Sequence, residues 1–575
     1  MRKILRKIPI SLMLSSFLLL VFLFAIYKLS TYEKGKIENF ILKAEAPFYF
    51  ISLLTFVIVL ALSHKKIFKI LRGVNWKLAL VVFLLALLIR EVIPPKTTRL
   101  FFDEDIYLDM AKQILTHFSS CLCDYGNKFS CFKCELMKWP VAHPFIISIA
   151  FLFFGISEVV ARHLAIFLAS LSTFFVYLSS FLLFRKNELS FLSSLILGLL
   201  PIHILWSPTM TADLTLSFFV SFFLFFIILS AKLNDLKIHS LSLLALVLAV
   251  QAKSEGIILI PLYFLSQFLL NKSYFEIIKN KTYISFVFLS FSLLSVYLLH
   301  IFYSWKVDTW GAMGEKMSFN YLKQNIYPNV GFWFEISKEK DKWAYEGKQL
   351  YHPPIFTILA IVGAIYLFKN DVRILLLLLL WFSSFFFLYS SFYAGSVYYG
   401  VDARYILPQL VPFSILAGRG AFYLTTLLSK VVKKGFSVFI VTLLLLLIFS
   451  FYVPKMHISD DQIRESCGAR LYRKSVINFA SNYSDDCYFI SHVSSIYSWL
   501  GKGHLQIWYI YLPEFGEIVK EKCVIFDEGY WCAIRVDESR SCIEFKNKYK
   551  LELLQRVVDE KENKVYSMYR VYPVS

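Results

Sequence analysis

The sequence predicts an α-helical polytopic membrane protein of about thirteen spans with a small extracytoplasmic α/β domain after them. Three observations predict it. Of 575 residues, 57% are hydrophobic and 18% charged, against about 25% charged in a soluble chain. The apolar residues, with 58 Phe and 34 Tyr among them, fall in runs of roughly 15–25, the length that crosses a bilayer core. The net charge of +19 is gathered in short loops between those runs. A cytosolic enzyme, a disordered chain and a fibrous protein are excluded. So is a nucleic-acid partner, because the basic residues follow the loops and form no binding patch.

The spans are expected at 9–28, 47–63, 76–93, 159–184, 189–206, 212–231, 239–252, 256–270, 283–303, 353–369, 372–393, 405–427 and 435–453. Lys and Arg crowd alternate connections, among them Arg2–Lys7, Lys65–Lys77, Arg185–Lys186, Lys232–Lys237, Lys272–Lys281, Lys369–Arg373 and Lys430–Lys434. The intervening loops 94–140 and 304–352 are nearly neutral, with six basic and six acidic residues and seven and six. By the positive-inside rule the basic loops and the N-terminus are cytoplasmic, and the neutral loops face out. The apolar stretch 141–156 would invert every later loop if it crossed, so a re-entrant or interfacial helix is expected there. Ile8–Tyr27 follows a basic segment like a signal peptide but lacks a small-residue cleavage site, so an uncleaved first span is expected.

Residues 1–453 thus form the transmembrane domain and 454–575 a soluble extracytoplasmic domain. The latter carries 17 basic and 17 acidic residues. Its short apolar runs predict strands at Cys487–Ser491, Leu505–Tyr511, Cys523–Asp527, Cys532–Val536 and Lys564–Tyr572, with a helix across Arg470–Tyr483. All nine cysteines avoid the spans. Cys121, Cys123, Cys131 and Cys134 share the first outer loop; Cys467, Cys487, Cys523, Cys532 and Cys542 lie in the soluble domain. Placement on one side argues for disulfides in an oxidising compartment. Cys121–Cys134 with Cys123–Cys131 is one of three pairings open to the loop, and a zinc site is the alternative reading of its spacing. The sequon Asn482-Tyr-Ser484 faces outward.

Ionisable residues beside spans are costly and mark function by default. Here they collect at the outer ends: Arg90, Glu91, Asp103, Glu104, Asp105, Lys138, His143, Arg162, His163, Asp213, Lys253, Glu255, Asp308, His352, Asp402 and Arg404. Midplane acids, the mark of a proton or ion transporter, are missing from the pattern. The sharpest segment is Phe101-Phe-Asp-Glu-Asp-Ile-Tyr107. Asp103 reads as a catalytic carboxylate or as a helix cap, and Asp103 with Asp105 reads as a divalent-metal pair for Mg or Mn. Lys138-Trp-Pro-Val-Ala-His143-Pro144 is a shaped approach to the interfacial helix, in which His143 acts on substrate or simply satisfies the structure. Lys253 in Gln251-Ala-Lys-Ser-Glu-Gly256 binds an anion or snorkels to headgroups. Arg404 opens a span and either meets a phosphate or pairs with Asp402.

Together these segments resemble the polyprenyl-phosphate-sugar glycosyltransferases of the GT-C fold, above all family 39 protein O-mannosyltransferases and the related lipid A aminoarabinose transferases. The motifs that carry the resemblance are Asp103-Glu104 with Tyr107, His143-Pro144, Arg162, Lys253-Ser-Glu-Gly256 and Arg404-Tyr405 with Pro408 and Pro412, in order over 76–430. The Cys-rich loop is not general to the family, and the absence of a Trp-Trp-Asp motif counts against an oligosaccharyltransferase. The resemblance implies a lipid-linked sugar donor, and the residues agree. Nucleotide sugars are cytoplasmic, whereas the polar cluster faces out, and no glycine-rich nucleotide motif is present. It implies inverting displacement at the anomeric carbon onto a protein or glycolipid hydroxyl. Asp103 is expected as general base and Glu104 as its orienting partner. Arg404, then Lys253 and Arg162, are expected on the donor phosphate. Tyr107, Lys138, His143, Asp213, Glu255, His352 and Tyr405 are expected around the substrates. The rivals are a lipid-linked-sugar flippase without catalysis and a structural membrane protein.

Overall fold

The structure, a computed structural model, describes residues 34–100, 102–307, 316–335, 352–397, 400–463, 467–511, 513–534, 536–560 and 563–573. The expected span 9–28, Asp308, part of the loop 304–352 and the side chains of Asp402 and Cys467 lie outside them. The chain divides into two compact units. One takes the chain up to Thr97, with Lys138–His143 and Arg162–Ile463; the other takes Thr98–Met137, Pro144–Ala161 and Arg464–Ser575.

The first unit is helical throughout, because its apolar runs leave no backbone group that a bilayer could satisfy except within a helix. Every expected span inside the described residues falls on helical backbone. Among the described residues, seven helices are long and apolar enough to cross a membrane: Gly35–Ile70, Glu158–Phe184, Ala212–Leu233, Lys281–Ser304, Val372–Ser390, Ala403–Leu428 and Gly435–Pro454. The stretch expected to be interfacial is the helix Ala142–Phe154 of 13 residues, about 20 Å long and short of the roughly 30 Å hydrocarbon core.

Two features shape this unit. The expected span 189–206 is broken: Asn187–Leu199 ends, Leu200 is extended, and Pro201 opens the short helix Pro201–Trp206. A residue before proline is pushed out of the helical region, so the break falls there. Buried Arg90 supplies donors to carbonyls near it, through Nη1 to Gly198 O at 3.3 Å and Nη2 to Leu197 O at 3.4 Å, and Nη2 lies 2.8 Å from His203 Nδ1. The second feature is glycine-mediated contact. A Cβ at Gly363 would stand 2.0 Å from Leu416 O, and one at Gly420 would stand 1.9 Å from Leu359 O. Pro354–Asn370 and Leu410–Leu428 therefore pack backbone against backbone, as small residues allow in membranes.

The second unit is built on a sheet of seven strands: β1 (Leu122–Gly126), β2 (Cys131–Glu135), β3 (Cys487–Ser491), β4 (Gly503–Gln506), β5 (Cys523–Glu528), β6 (Lys550–Asp559) and β7 (Lys564–Tyr572). Their order is β2-β1-β4-β3-β5-β7-β6. β4 and β5 flank β3 in parallel, and the other neighbours are antiparallel. The Cys-rich loop is thus a hairpin that extends the C-terminal sheet. Ile490, Leu505, Phe515, Val524, Phe526, Phe545 and Val571 fill its core.

Four disulfides are formed: Cys121–Cys134, Cys123–Cys131, Cys487–Cys523 and Cys532–Cys542. In the loop, disulfides therefore prevail over zinc. Two strand expectations need correction. Cys532–Val536 begins in the helix Tyr530–Ile534, and only the start of Leu505–Tyr511 is strand, the rest being a 3₁₀ turn, Ile507–Tyr511. Short apolar runs do not distinguish strand from buried helix. The edge strand Lys550–Asp559 escaped notice because half of its residues are exposed and charged or polar ones interrupt its Leu and Val. The helix Lys434–Ile463 runs on through Pro454, past the expected end of the last span.

Candidate functional site

In the helical unit the expected polar residues meet around Asp213. It sits in the first turn of Ala212–Leu233, where the helix dipole favours a carboxylate. Lys253 Nζ lies 2.9 Å from Asp213 Oδ1 and 2.9 Å from Glu255 Oε1. Arg404 Nε lies 3.6 Å from Asp213 Oδ2, and its Nη2 donates to Tyr405 OH at 3.1 Å. Two cations thus lean on one buried carboxylate. Aromatic faces back them: Lys253 Nζ is 4.7 Å from the Tyr405 ring and 5.7 Å from the Tyr389 ring. Those two rings stack at 4.8 Å, and Tyr297 OH donates to Lys253 O at 3.3 Å.

The turn that delivers Lys253 depends on Gly256, where a Cβ would stand 2.6 Å from Val250 O. This accounts for the glycine of the Lys-Ser-Glu-Gly motif. The loop that delivers Asp213 is clamped by two residues expected at substrate. His143 Nε2 lies 2.9 Å from Met210 O and Nδ1 lies 2.8 Å from Thr215 Oγ1. A carbonyl only accepts, so Nε2 carries the proton and Nδ1 accepts from Thr215. Arg162 Nη1 donates to Pro208 O at 3.1 Å. Next to His143, Ala142 N donates to Gln251 O at 3.3 Å. Residues 142–143 therefore tie the Asp213 loop to the Lys253 turn. His143 and Arg162 shape this site through its backbone.

His352 is placed differently. Its Nε2 bonds Thr357 Oγ1 at 2.8 Å, and its ring packs against Phe332, Trp333 and Phe413. Lys138 Nζ stands 5.5 Å over the Trp139 ring.

Asp103, Glu104, Asp105 and Tyr107 belong to the other unit, in the helix Asp103–His117. Phe102, not Asp103, holds the cap position, with φ of 77° and no side-chain cap bond. Asp103 is the first helical residue and half-buried. Buried Glu104 turns back: its Oε1 accepts from Arg99 N at 2.7 Å and Leu100 N at 3.0 Å, which fixes the chain leading to Asp103. Asp105 is fully buried and engaged. Arg473 reaches it through Nε at 3.1 and 2.9 Å and Nη2 at 2.7 Å, and Trp499 Nε1 donates at 3.1 Å. Arg473 Nη1 also meets Glu158 at 2.7 Å. A divalent cation does not fit Asp103 with Asp105, because it would take its place beside that guanidinium. Tyr107 is buried.

Three buried carboxyls in this unit are shifted upward: Asp124, by burial and by the neighbouring Glu135, and Asp109 and Asp527. Burial pushes Asp109 up to about 6 against bonds from Ser498, Gln113 and Cys123. Burial likewise pushes Asp527 up to about 6, although Tyr472, Tyr497 and Ser491 donate to it.

Sequence reading missed Tyr389, Tyr297 and Arg473. Each is an ordinary residue of a helix, and only the fold gives it a partner.

Residues 138–300 match the sequence model of the dolichyl-phosphate-mannose-protein mannosyltransferase family. That segment holds Lys138, His143, Arg162, Asp213, Lys253 and Glu255. No curated protein matches the chain. Among solved structures, the archaeal oligosaccharyltransferase AglB from Archaeoglobus fulgidus, in complex with an inhibitory peptide and a dolichol-phosphate, is similar at TM-score 0.51 and 10% identity, over 87% of this chain and 74% of that one. The A. fulgidus oligosaccharyltransferase tethered with an acceptor peptide gives TM-score 0.50 and 12% identity, over 88% and 74%. A weaker likeness, TM-score 0.44 at 15% identity over 86% and 96%, is to ArnT from Cupriavidus metallidurans. At such identities the likeness is one of fold. The chain has the architecture of the GT-C glycosyltransferases, as its motifs led one to expect.

Proposed function

We propose that the protein is a membrane glycosyltransferase that moves a sugar from a polyprenyl-phosphate donor to a hydroxyl of a protein or glycolipid at the extracytoplasmic face, with inversion. The observation that carries this reading is the convergence of Lys253 and Arg404 on Asp213 beside stacked tyrosines. Asp213 and Lys253 both lie in the segment that matches the mannosyltransferase family. The dolichol-phosphate bound to AglB supports the donor class.

The leaving group is a polyprenyl phosphate whose negative charge grows in the transition state. Cations that bind that charge more tightly than the ground state lower the barrier. Arg404 and Lys253 are those cations. Asp213 holds the two cations close together. Tyr405 and Tyr389 wall the site. Asp103 is the base that takes the proton from the acceptor hydroxyl, with Glu104 fixing the backbone before it. The N-terminus is cytoplasmic, and the α/β unit faces outside and selects the acceptor.

The test is sugar transfer by the purified protein in lipid, from polyprenyl-phosphate mannose and glucose, with a cell-envelope extract as acceptor. Wild type transfers, and Asp103→Asn falls about 10²-fold or more with its fold intact. Transfer unchanged by the mutation removes Asp103 from the chemistry. Donor binding with no transfer from any donor overturns the enzyme and favours a flippase.

A further inference from the structure

In the α/β unit, β4 and β5 lie on opposite sides of β3 and parallel to it. The connections after β3 and β5 therefore leave in opposite directions, and the crevice beyond their carboxyl ends is where such sheets place ligands. Three side chains with metal-binding atoms meet there. His492 directly follows β3, Cys532 lies in the helix after β5, and Cys542 in the next helix. Their ligand atoms all lie within 4.8 Å of one another.

His492 is the unexplained member. It is 5% exposed, yet among the described residues its Nε2 has no hydrogen-bond partner. Its Nδ1 faces only sulfur, 3.7 Å from Cys532 Sγ and 3.9 Å from Cys542 Sγ. A buried imidazole without a proper partner is costly. Trp508 packs edge-on against its ring at 5.3 Å, so the ring is held in this place.

The distances supply a reason. With Zn–S near 2.3 Å and Zn–N near 2.05 Å, a tetrahedral site needs N···S edges of about 3.6 Å and an S···S edge of about 3.8 Å. Both N···S edges are already present to within about 0.3 Å. Only the sulfur–sulfur separation is wrong, because the sulfurs are bonded.

We infer that His492, Cys532 and Cys542 form a zinc site that alternates with the Cys532–Cys542 disulfide, so that the same three residues hold either a sulfur–sulfur bond or a divalent zinc ion. The interconversion balances. A small dithiol attacks the half-buried Cys532 sulfur, Cys542 leaves as a thiolate and takes a proton, and the second thiol of the reductant closes its own disulfide and frees Cys532. Two protein thiols result, and zinc binding releases their two protons. Zinc then has two thiolates, the His492 nitrogen and a water, which is the coordination of an open site.

The other sulfur clusters differ. Cys121, Cys131 and Cys134 come from two separate disulfides and have no imidazole among them. Cys487–Cys523 has the Arg570 guanidinium 2.8 Å from Cys523 Sγ, a cation where a metal would have to sit.

The experiment uses the full-length protein in lipid nanodiscs, reduced with dithiothreitol and freed of it under argon. Oxidised glutathione is then added with or without zinc, and each disulfide is followed by peptide mapping. Zinc is expected to slow re-formation of Cys532–Cys542 at least tenfold in wild type, and less than twofold in His492→Ala. Cys487–Cys523 re-forms at one rate throughout and serves as the internal control. Equal rates for Cys532–Cys542 with and without zinc in wild type overturn the proposal, and that comparison needs no variant to fold. Slowing that persists in His492→Ala, with Cys487–Cys523 re-forming normally, overturns the role of His492.

Discussion

Two buried charge clusters, one in each unit, use the same residue types to opposite ends. Around Asp105 a single guanidinium serves two carboxylates, and an indole N–H takes up a further lone pair. Acids outnumber bases, every contact is 3.1 Å or shorter, and no positive charge is left over. Around Asp213 two cations share two carboxylates, Asp213 and Glu255, the contact to Arg404 is 3.6 Å, and tyrosine faces back both cations. The first is a rivet. The second, on the function proposed above, is a holder for cations that meet an incoming anion. On that proposal the balance of charge, more than residue type, separates the two clusters.

The largest expected effect tests the rivet. Arg473→Gln leaves Asp105 buried without its cation, and breaking one side of such a pair costs about 3–5 kcal/mol. Denaturant unfolding of the α/β unit should show it, and replacing Asp105 and Arg473 together by leucine should recover most of it. A loss below about 1 kcal/mol would erase the distinction between the clusters. The next effect tests the holder. Arg404→Gln should cut sugar transfer about 10²-fold, the usual effect of removing one transition-state donor, while unfolding stays near wild type. If Arg404→Gln destabilises as much as Arg473→Gln, the Asp213 cluster is a second rivet.

Much of this was legible in the sequence, and what was not has a physical cause. A helix such as Ala212–Leu233 announces itself because a bilayer admits few alternatives to an apolar helix. The strands β3, β5 and β7 showed through their apolar content, whereas β6, half-exposed and with charged or polar residues between its Leu and Val, did not. Charge beside a span singled out Asp213, Lys253 and Arg404, but did not tell that they meet. Asp105 looked like a metal ligand for the same reason. Its partner Arg473 is 368 positions away, and local pattern carries no information over that distance. Histidine roles were the hardest to read, since His143 and His352 differ only in what the fold places beside them.

A third prediction concerns pH and again separates the units. Asp109 and Asp527, both in the α/β unit, are raised to about 6 by burial. The folded unit therefore binds these protons more tightly than the unfolded chain. The resulting stabilisation is full below the ordinary carboxyl value of 3.8 and is lost as pH rises through about 6. Each group contributes roughly 3 kcal/mol at most. Hydrogen exchange of β3 and β5 should quicken between pH 4.5 and about 6.5 as that protection is lost. In Asp527→Asn the change should shrink, the remainder coming from Asp109 and Asp124. A profile as steep in the variant as in wild type would show that Asp527 titrates at an ordinary value.

The smallest effect sharpens the holder itself. His143 acts on the backbone of the Asp213 loop, so its loss should loosen the placement of Asp213 without removing a charge. His143→Ala should lower transfer about tenfold, mostly as a raised donor KM, because the cations remain but their spacing relaxes. His143→Gln can place an amide N–H where Nε2–H now meets Met210 O, and should recover all but about threefold. A histidine that contacted the sugar or carried a proton would behave otherwise. Glutamine would then fail as badly as alanine, and the loss would fall on kcat with a changed pH profile. The two substitutions together decide whether residues 142–143 build the site or take part in its chemistry.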